Sequence, residues 1–140
     1  MTENEHTREL VAEIRKRLPH GVAWKHTDLA TAGIPDLSVT YRARTIWAEA
    51  KLIDEDRYLR PCQLGRHCVE VIPRLHVPGL QWEELRKLGN GYLVIYTPLG
   101  HALTHVNGYR QTVERLHLRL SPLEAVARQV VDLVKRRDGE

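Results

Sequence analysis

Apolar residues recur at helical spacing near both ends of the chain and at alternating spacing between them. Leu10, Val11, Ile14 and Leu18 return every three or four positions until Pro19 breaks the run, with Thr2 and Glu5 in capping-box register ahead of them. The pattern predicts a first helix. Residues 21–27 carry Val22 and Trp24 on one parity and read as a short strand leading into a loop over 28–35. Leu37, Val39 and Tyr41 alternate with Ser38, Thr40 and Arg42, and the pair Ala43 and Arg44 is brief enough to turn the chain into an antiparallel return over 45–53.

Beyond a charged loop at 54–60, Pro61 suits the first turn of a helix with Leu64, Cys68, Val71 and Ile72 on one face, ended by Pro73. A further helix is expected from Pro78, carrying Leu80, Leu85 and Leu88 and closed by Gly89. Tyr92 to Tyr96 reads as a fully buried strand, which Pro98, Leu99 and Gly100 turn into another at 101–106. Ser121 as N-cap, Pro122 at the first helical position and Glu124 open a last helix with Leu123, Val126, Val130 and Val134 on one face. The element order predicts an α/β sandwich, a central mixed β-sheet flanked by helices, in one domain over 1–140.

Composition narrows the function classes. A chain of 140 residues, 42% hydrophobic, can bury one modest core. No apolar run is long enough to span a bilayer and the N-terminus lacks a signal-peptide layout, so a soluble cytoplasmic protein is expected. Cys62 and Cys68 are too few and too close for a disulfide framework and are expected to be reduced. With His67 they invite a zinc reading, but no second pair stands at a recognised ligand spacing. The formal charge of +3 permits a polyanionic partner without demanding one.

Chemistry concentrates in the return strand of the hairpin. Alternation puts Ile46, Ala48, Ala50 and Leu52 on one face and Trp47, Glu49, Lys51 and Ile53 on the other, so a carboxylate and an ammonium share a side. Burying both in an apolar strand is costly without partners. The hairpin supplies Asp36, expected level with residue 51. Asp36, Glu49 and the carbonyl of Ala50 are the hard oxygen donors that Mg²⁺ or Mn²⁺ prefers, and Lys51 can orient a water or offset phosphate charge. A lone Glu-x-Lys is most often a surface ion pair; Gly33-x-Pro35-Asp36, a short hairpin and an apolar-flanked Glu-x-Lys together are much rarer.

That joint pattern resembles the PD-(D/E)xK nuclease superfamily, in particular VRR-NUC nucleases and archaeal Holliday-junction resolvases, over roughly Thr7 to Tyr96. The resemblance implies a restriction-endonuclease-like core over about 7–97 with a C-terminal extension over about 98–140, and a Mg²⁺- or Mn²⁺-dependent endonuclease acting on branched or double-stranded DNA, with Asp36 and Glu49 as metal ligands and Lys51 as the catalytic lysine. It also implies a glutamate on the first helix, assigned to Glu9 with Glu5 and Glu13 on the same face, and a glutamine after the lysine strand, assigned to Gln63 with Gln81 as rival. Lys25 and His26 occupy a position from which such enzymes contact phosphate, and Arg15, Lys16 and Arg110 extend the basic surface. A homodimer is expected, because one metal site cuts one strand. Two other readings stand beside this one: a non-catalytic nucleic-acid-binding or assembly module on the same fold, and the cleavage subunit of a restriction or recombination system.

Overall fold

In the computed structural model, residues 1–26, 35–55, 59–62, 68–71, 75–76, 85–106, 112–113 and 116–136 are described. Helix α1 (Glu3–Arg17) opens as its capping box predicts: the Glu5 N–H donates to Thr2 Oγ1, and the Thr2 hydroxyl donates to the Glu5 carboxylate, both at 3.1 Å. Its apolar stripe, Leu10, Val11 and Ile14, is buried. The chain then forms β1 (Val22–Lys25), β2 (Leu37–Tyr41) and β3 (Arg44–Leu52) as an antiparallel meander.

Strand β7 (Gly91–Thr97) lies parallel to β3 and antiparallel to β8 (Gly100–His105), giving a mixed five-stranded sheet in the order β1-β2-β3-β7-β8. Helix α2 (Leu123–Lys135) buries Val126, Ala127, Val130, Val131 and Val134 in the same core as α1, against Val39, Ile46, Ala48, Ala50 and Tyr96 of the sheet. The apolar face of this last helix is therefore spent inside its own fold, not offered to a second copy.

The other face of the sheet carries a second core. There β4 (Leu59–Pro61), β5 (Cys68–Val71) and β10 (Leu116–Arg119) form a three-stranded antiparallel sheet whose Val69 and Leu118 pack with Leu93, Ile95 and Ala102. Residues 85–88 are helical and place the fully buried Leu85 in that core. Gly91 is required here, because a Cβ would stand 2.4 Å from the Leu85 carbonyl oxygen. Two short strands, β6 (Leu75–His76) and β9 (Thr112–Val113), pair separately. Among the described residues no helix is long and apolar enough to cross a membrane.

Three local expectations are corrected, and further strands are added. The helix expected from Pro61 is replaced by β4 and β5: Val69 alternates with Cys68 and Glu70, and pairing with Leu118 rewards that alternation more than a helical stripe would. Pro122, not Ser121, is the N-cap of α2, since the Ser121 backbone exchanges hydrogen bonds with His101 at 2.8 and 2.9 Å. Strands β9 and β10 had no sequence counterpart, although Leu116, Leu118 and Leu120 alternate with His117 and Arg119. Cys62 and Cys68 are not reduced but joined by a disulfide, because the β4–β5 pairing brings their Cα atoms to 5.2 Å.

Candidate metal centre

The β2–β3 hairpin sets the register of every group at the site. Its two-residue turn is Arg42 and Ala43, both at positive φ (48° and 66°), the backbone twist that suits a tight antiparallel connection. Tyr41 therefore faces Arg44 and Leu37 faces Ala48. Continued by one residue, this register sets Asp36 opposite Glu49, two positions from the level expected with the turn at Ala43 and Arg44. The two-residue shift preserves the faces. Trp47 and Ile53 pack in the second core while Ile46, Ala48, Ala50 and Leu52 pack in the first, so Glu49 and Lys51 share the face of Trp47.

Beyond Leu37 the paired length of β2 ends, and the β3 amides on that side need other acceptors. The Ala50 N–H donates to Asp36 Oδ2 at 2.7 Å. The Leu52 N–H donates to Glu3 Oε2 at 3.0 Å. Glu3 is held there by its own turn of helix: the buried Thr7 hydroxyl donates to the Glu3 carbonyl at 2.9 Å and stands 3.0 Å from the Tyr96 hydroxyl, which tethers α1 to β7. Of the other first-helix glutamates, Glu9 is exposed, Glu5 closes the cap, and Glu13 pairs with Lys16 and Arg17 at 3.1 and 3.3 Å. The helix thus brings Glu3, not Glu9, to the edge of β3. Sequence periodicity missed it because the contact depends on an anchor 89 residues away.

Electrostatics at this notch favour a cation. Glu49 is 3% exposed, and burial, a hydrogen bond to Asp36 and the Asp36 charge push its carboxyl from an ordinary 4.5 up to about 9, with Lys51 opposing and Glu3 adding to the rise. A bare carboxylate is therefore unfavourable at Glu49. Asp36 and Glu49, joined by a side-chain hydrogen bond, offer hard oxygen atoms of the kind that Mg²⁺ or Mn²⁺ prefers, and the charges of Lys51 and Glu3 act on Glu49 from nearby. Burial pushes the Tyr96 phenol up as well, keeping it a neutral hydrogen-bonding post.

The other sequence-derived residues separate. Lys25 and His26 sit at the end of β1 beside the Asp36 segment. His26 is committed to building it: its N–H donates to the Asp36 carbonyl at 2.7 Å, its Nε2 meets Ser38 Oγ at 2.7 Å, and its ring stacks on Trp47 at 5.6 Å. Arg15 Nε donates to the Ala23 carbonyl at 3.0 Å, tying α1 to β1, and Lys16 is paired with Glu13. Gln63, Gln81 and Arg110 lie outside the described residues.

No family model matches the sequence, and no curated protein does. The fold does have solved counterparts. One is Hjc of Archaeoglobus fulgidus, a Holliday junction resolvase from an archaeal hyperthermophile: it superposes with a TM-score of 0.55 at 14% identity, over 89% of this chain and 98% of that one. The α/β architecture, a mixed sheet with helices packed on it, is thereby shared along nearly the whole of both chains.

Proposed function

We propose that this chain is a divalent-metal-dependent DNA endonuclease that hydrolyses phosphodiester bonds, with branched or junction DNA as substrate. The observation that carries it is the placement of Asp36 opposite Glu49, with Lys51 on the Glu49 face, at a break in the sheet where Glu3 also arrives. Asp36, Glu49 and the Ala50 carbonyl would hold a Mg²⁺ or Mn²⁺ ion, with Glu3 as an outer carboxylate. The bound ion would polarise the scissile phosphate and make hydroxide accessible near neutral pH. Lys51, on the Glu49 face, would offset as a point charge the charge that grows on the phosphoryl oxygens. The Ala50 amide holds the Asp36 carboxylate in place, and His26 holds the Asp36 backbone.

Fold likeness to a junction resolvase supports the substrate class, and the need to cut two strands supports a homodimer related by a two-fold axis. Incubation with four-way, flapped and linear DNAs in Mg²⁺, in Mn²⁺ and in chelator tests the reading. Metal-dependent cleavage that favours branched substrates is expected. Cleavage unaffected by chelator, or none on any DNA, would overturn it. Light scattering tests the dimer separately.

A further inference from the structure

The second sheet carries a cluster that the nuclease reading does not use. Pairing of β4 with β5 sets Pro61 opposite Val69, and the Cys62 N–H donates to the Cys68 carbonyl at 3.1 Å, so the two cysteines face each other. On the other side of β5, strand β10 sets Leu118 opposite Val69 and Arg119 opposite Cys68. Val69 and Leu118 point into the core, so Cys68 and His117 belong to the opposite face. There His117 Nδ1 stands 3.3 Å from Cys62 Sγ, and the donor atoms of Cys62, Cys68 and His117 all lie within 4.8 Å of one another. Both cysteines are partly accessible and His117 is exposed, so an ion can reach them from solvent.

We propose that Cys62, Cys68 and His117 form a second, redox-gated metal site for a borderline-soft divalent ion of the Zn²⁺ kind. Two thiolates and an imidazole are the donors such an ion selects, whereas the carboxylates around Glu49 suit a hard ion, so the two sites divide their metals by chemistry. Zn–S bonds of about 2.3 Å and Zn–N bonds of about 2.0 Å put tetrahedral donors roughly 3.5–3.8 Å apart, so once the S–S bond is broken the sulfurs move apart from bonding distance while Cys68 and His117 close on each other, shifts that Cys and His side-chain rotations can supply. Water takes the fourth position. The gate is the disulfide observed between the cysteines. A dithiol reductant delivers two electrons and two protons, the S–S bond breaks to two thiols, and the reductant leaves as its own disulfide. Metal binding then displaces both thiol protons and leaves a neutral Zn²⁺–dithiolate unit. Strands β4 and β5 are three and four residues long, at the short end for strands. Either cross-link, S–S or S–metal–S, staples them.

The site is tested by reducing the protein with a dithiol, removing the reductant anaerobically, and titrating with Co²⁺ in excess Mg²⁺, which occupies hard-oxygen sites. One equivalent of Co²⁺ is expected to give thiolate-to-metal charge-transfer absorption with intense tetrahedral bands, both lost on adding Zn²⁺. The oxidised protein, Cys62→Ser and Cys68→Ser should show neither feature. The surface substitution His117→Ala, which leaves the core untouched, should weaken binding at least tenfold. Absence of charge-transfer absorption in the reduced protein, the same absorption in the oxidised protein, or His117→Ala binding like the parent would each overturn the proposal.

Discussion

Asp36 faces Glu49 across the β2–β3 pair at the point where β2 stops and β3 continues beside β7, so two carboxylates meet where β3 runs past its β2 partner. If that junction is the reaction centre, Asp36→Asn, Glu49→Gln and Lys51→Ala should each lower DNA cleavage by roughly 10²-fold or more. Circular dichroism should remain that of the parent. Parent-like cleavage rates in any one of the three would remove that residue from the site.

The raised carboxyl of Glu49 predicts how stability depends on pH without metal. Its folded value of about 9 lies above its ordinary 4.5, so between these values the folded state holds a proton that the unfolded state has released. The contribution is fully present below about pH 4.5 and is lost as pH rises toward about 9, on the order of a few kcal/mol across the window. Urea melts in chelator should show that decline, and Glu49→Gln should flatten it and be the more stable protein at the alkaline end. Mg²⁺ should restore the parent most strongly at high pH, because the ion displaces the same proton. A slope unchanged by Glu49→Gln would assign the pH dependence to other groups.

Glu3 and Glu9 separate by position. Glu3→Gln should reduce metal affinity or activity about 10- to 100-fold, the usual effect of removing a carboxylate that supports a metal site. Glu9→Gln, on the exposed side of α1, should leave both unchanged. Metal titrations followed by calorimetry distinguish them; equal effects of the two variants would mean that the α1 glutamates act only through overall charge.

The shared face of Glu49 and Lys51 was legible because strand alternation needs no knowledge of the partner strand. The level of Asp36 was not, because the turn uses Arg42 and Ala43 at positive φ without the Asn-Gly or Asp-Gly signature that locates such turns. Glu3 was missed for a related reason: its position follows from the link of Thr7 to Tyr96, a contact that no local pattern contains. The same limit hid β4, β5 and β10. Leu64, Cys68 and Val71 have helical spacing, and pairing with β4 on one side and with the distant β10 on the other decides in favour of strands. Periodicity reported faces well and partners poorly.

Ala43 carries left-handed strain that glycine would relieve. Ala43→Gly should therefore stabilise the protein by about 1 kcal/mol, seen as a rise of a few °C in Tm, with cleavage unchanged because the register is kept. A fall in Tm would show that the loss of chain entropy outweighs the relieved strain at this turn.

DNA binding should depend on salt in a way that distinguishes the basic residues from one another. Each phosphate neutralised contributes about 0.9 to the slope of log affinity against log salt concentration, so a residue that touches phosphate is read from the change in slope on its removal. Lys25 is half-buried at the end of β1, next to the His26–Asp36 segment, and Lys25→Ala should lower the slope by about 1. Lys16 is exposed on α1 and already paired with Glu13, and its removal should change the slope less. Arg15 is a third case. Its Nε bonds the Ala23 carbonyl and ties α1 to β1, so Arg15→Ala should lower stability by roughly 1 kcal/mol, more than it changes the slope. Titrations of the three variants over a series of salt concentrations, beside urea melts, separate the roles. A Lys25→Ala slope equal to the parent's would place the DNA backbone away from the end of β1 while leaving the carboxylates untouched.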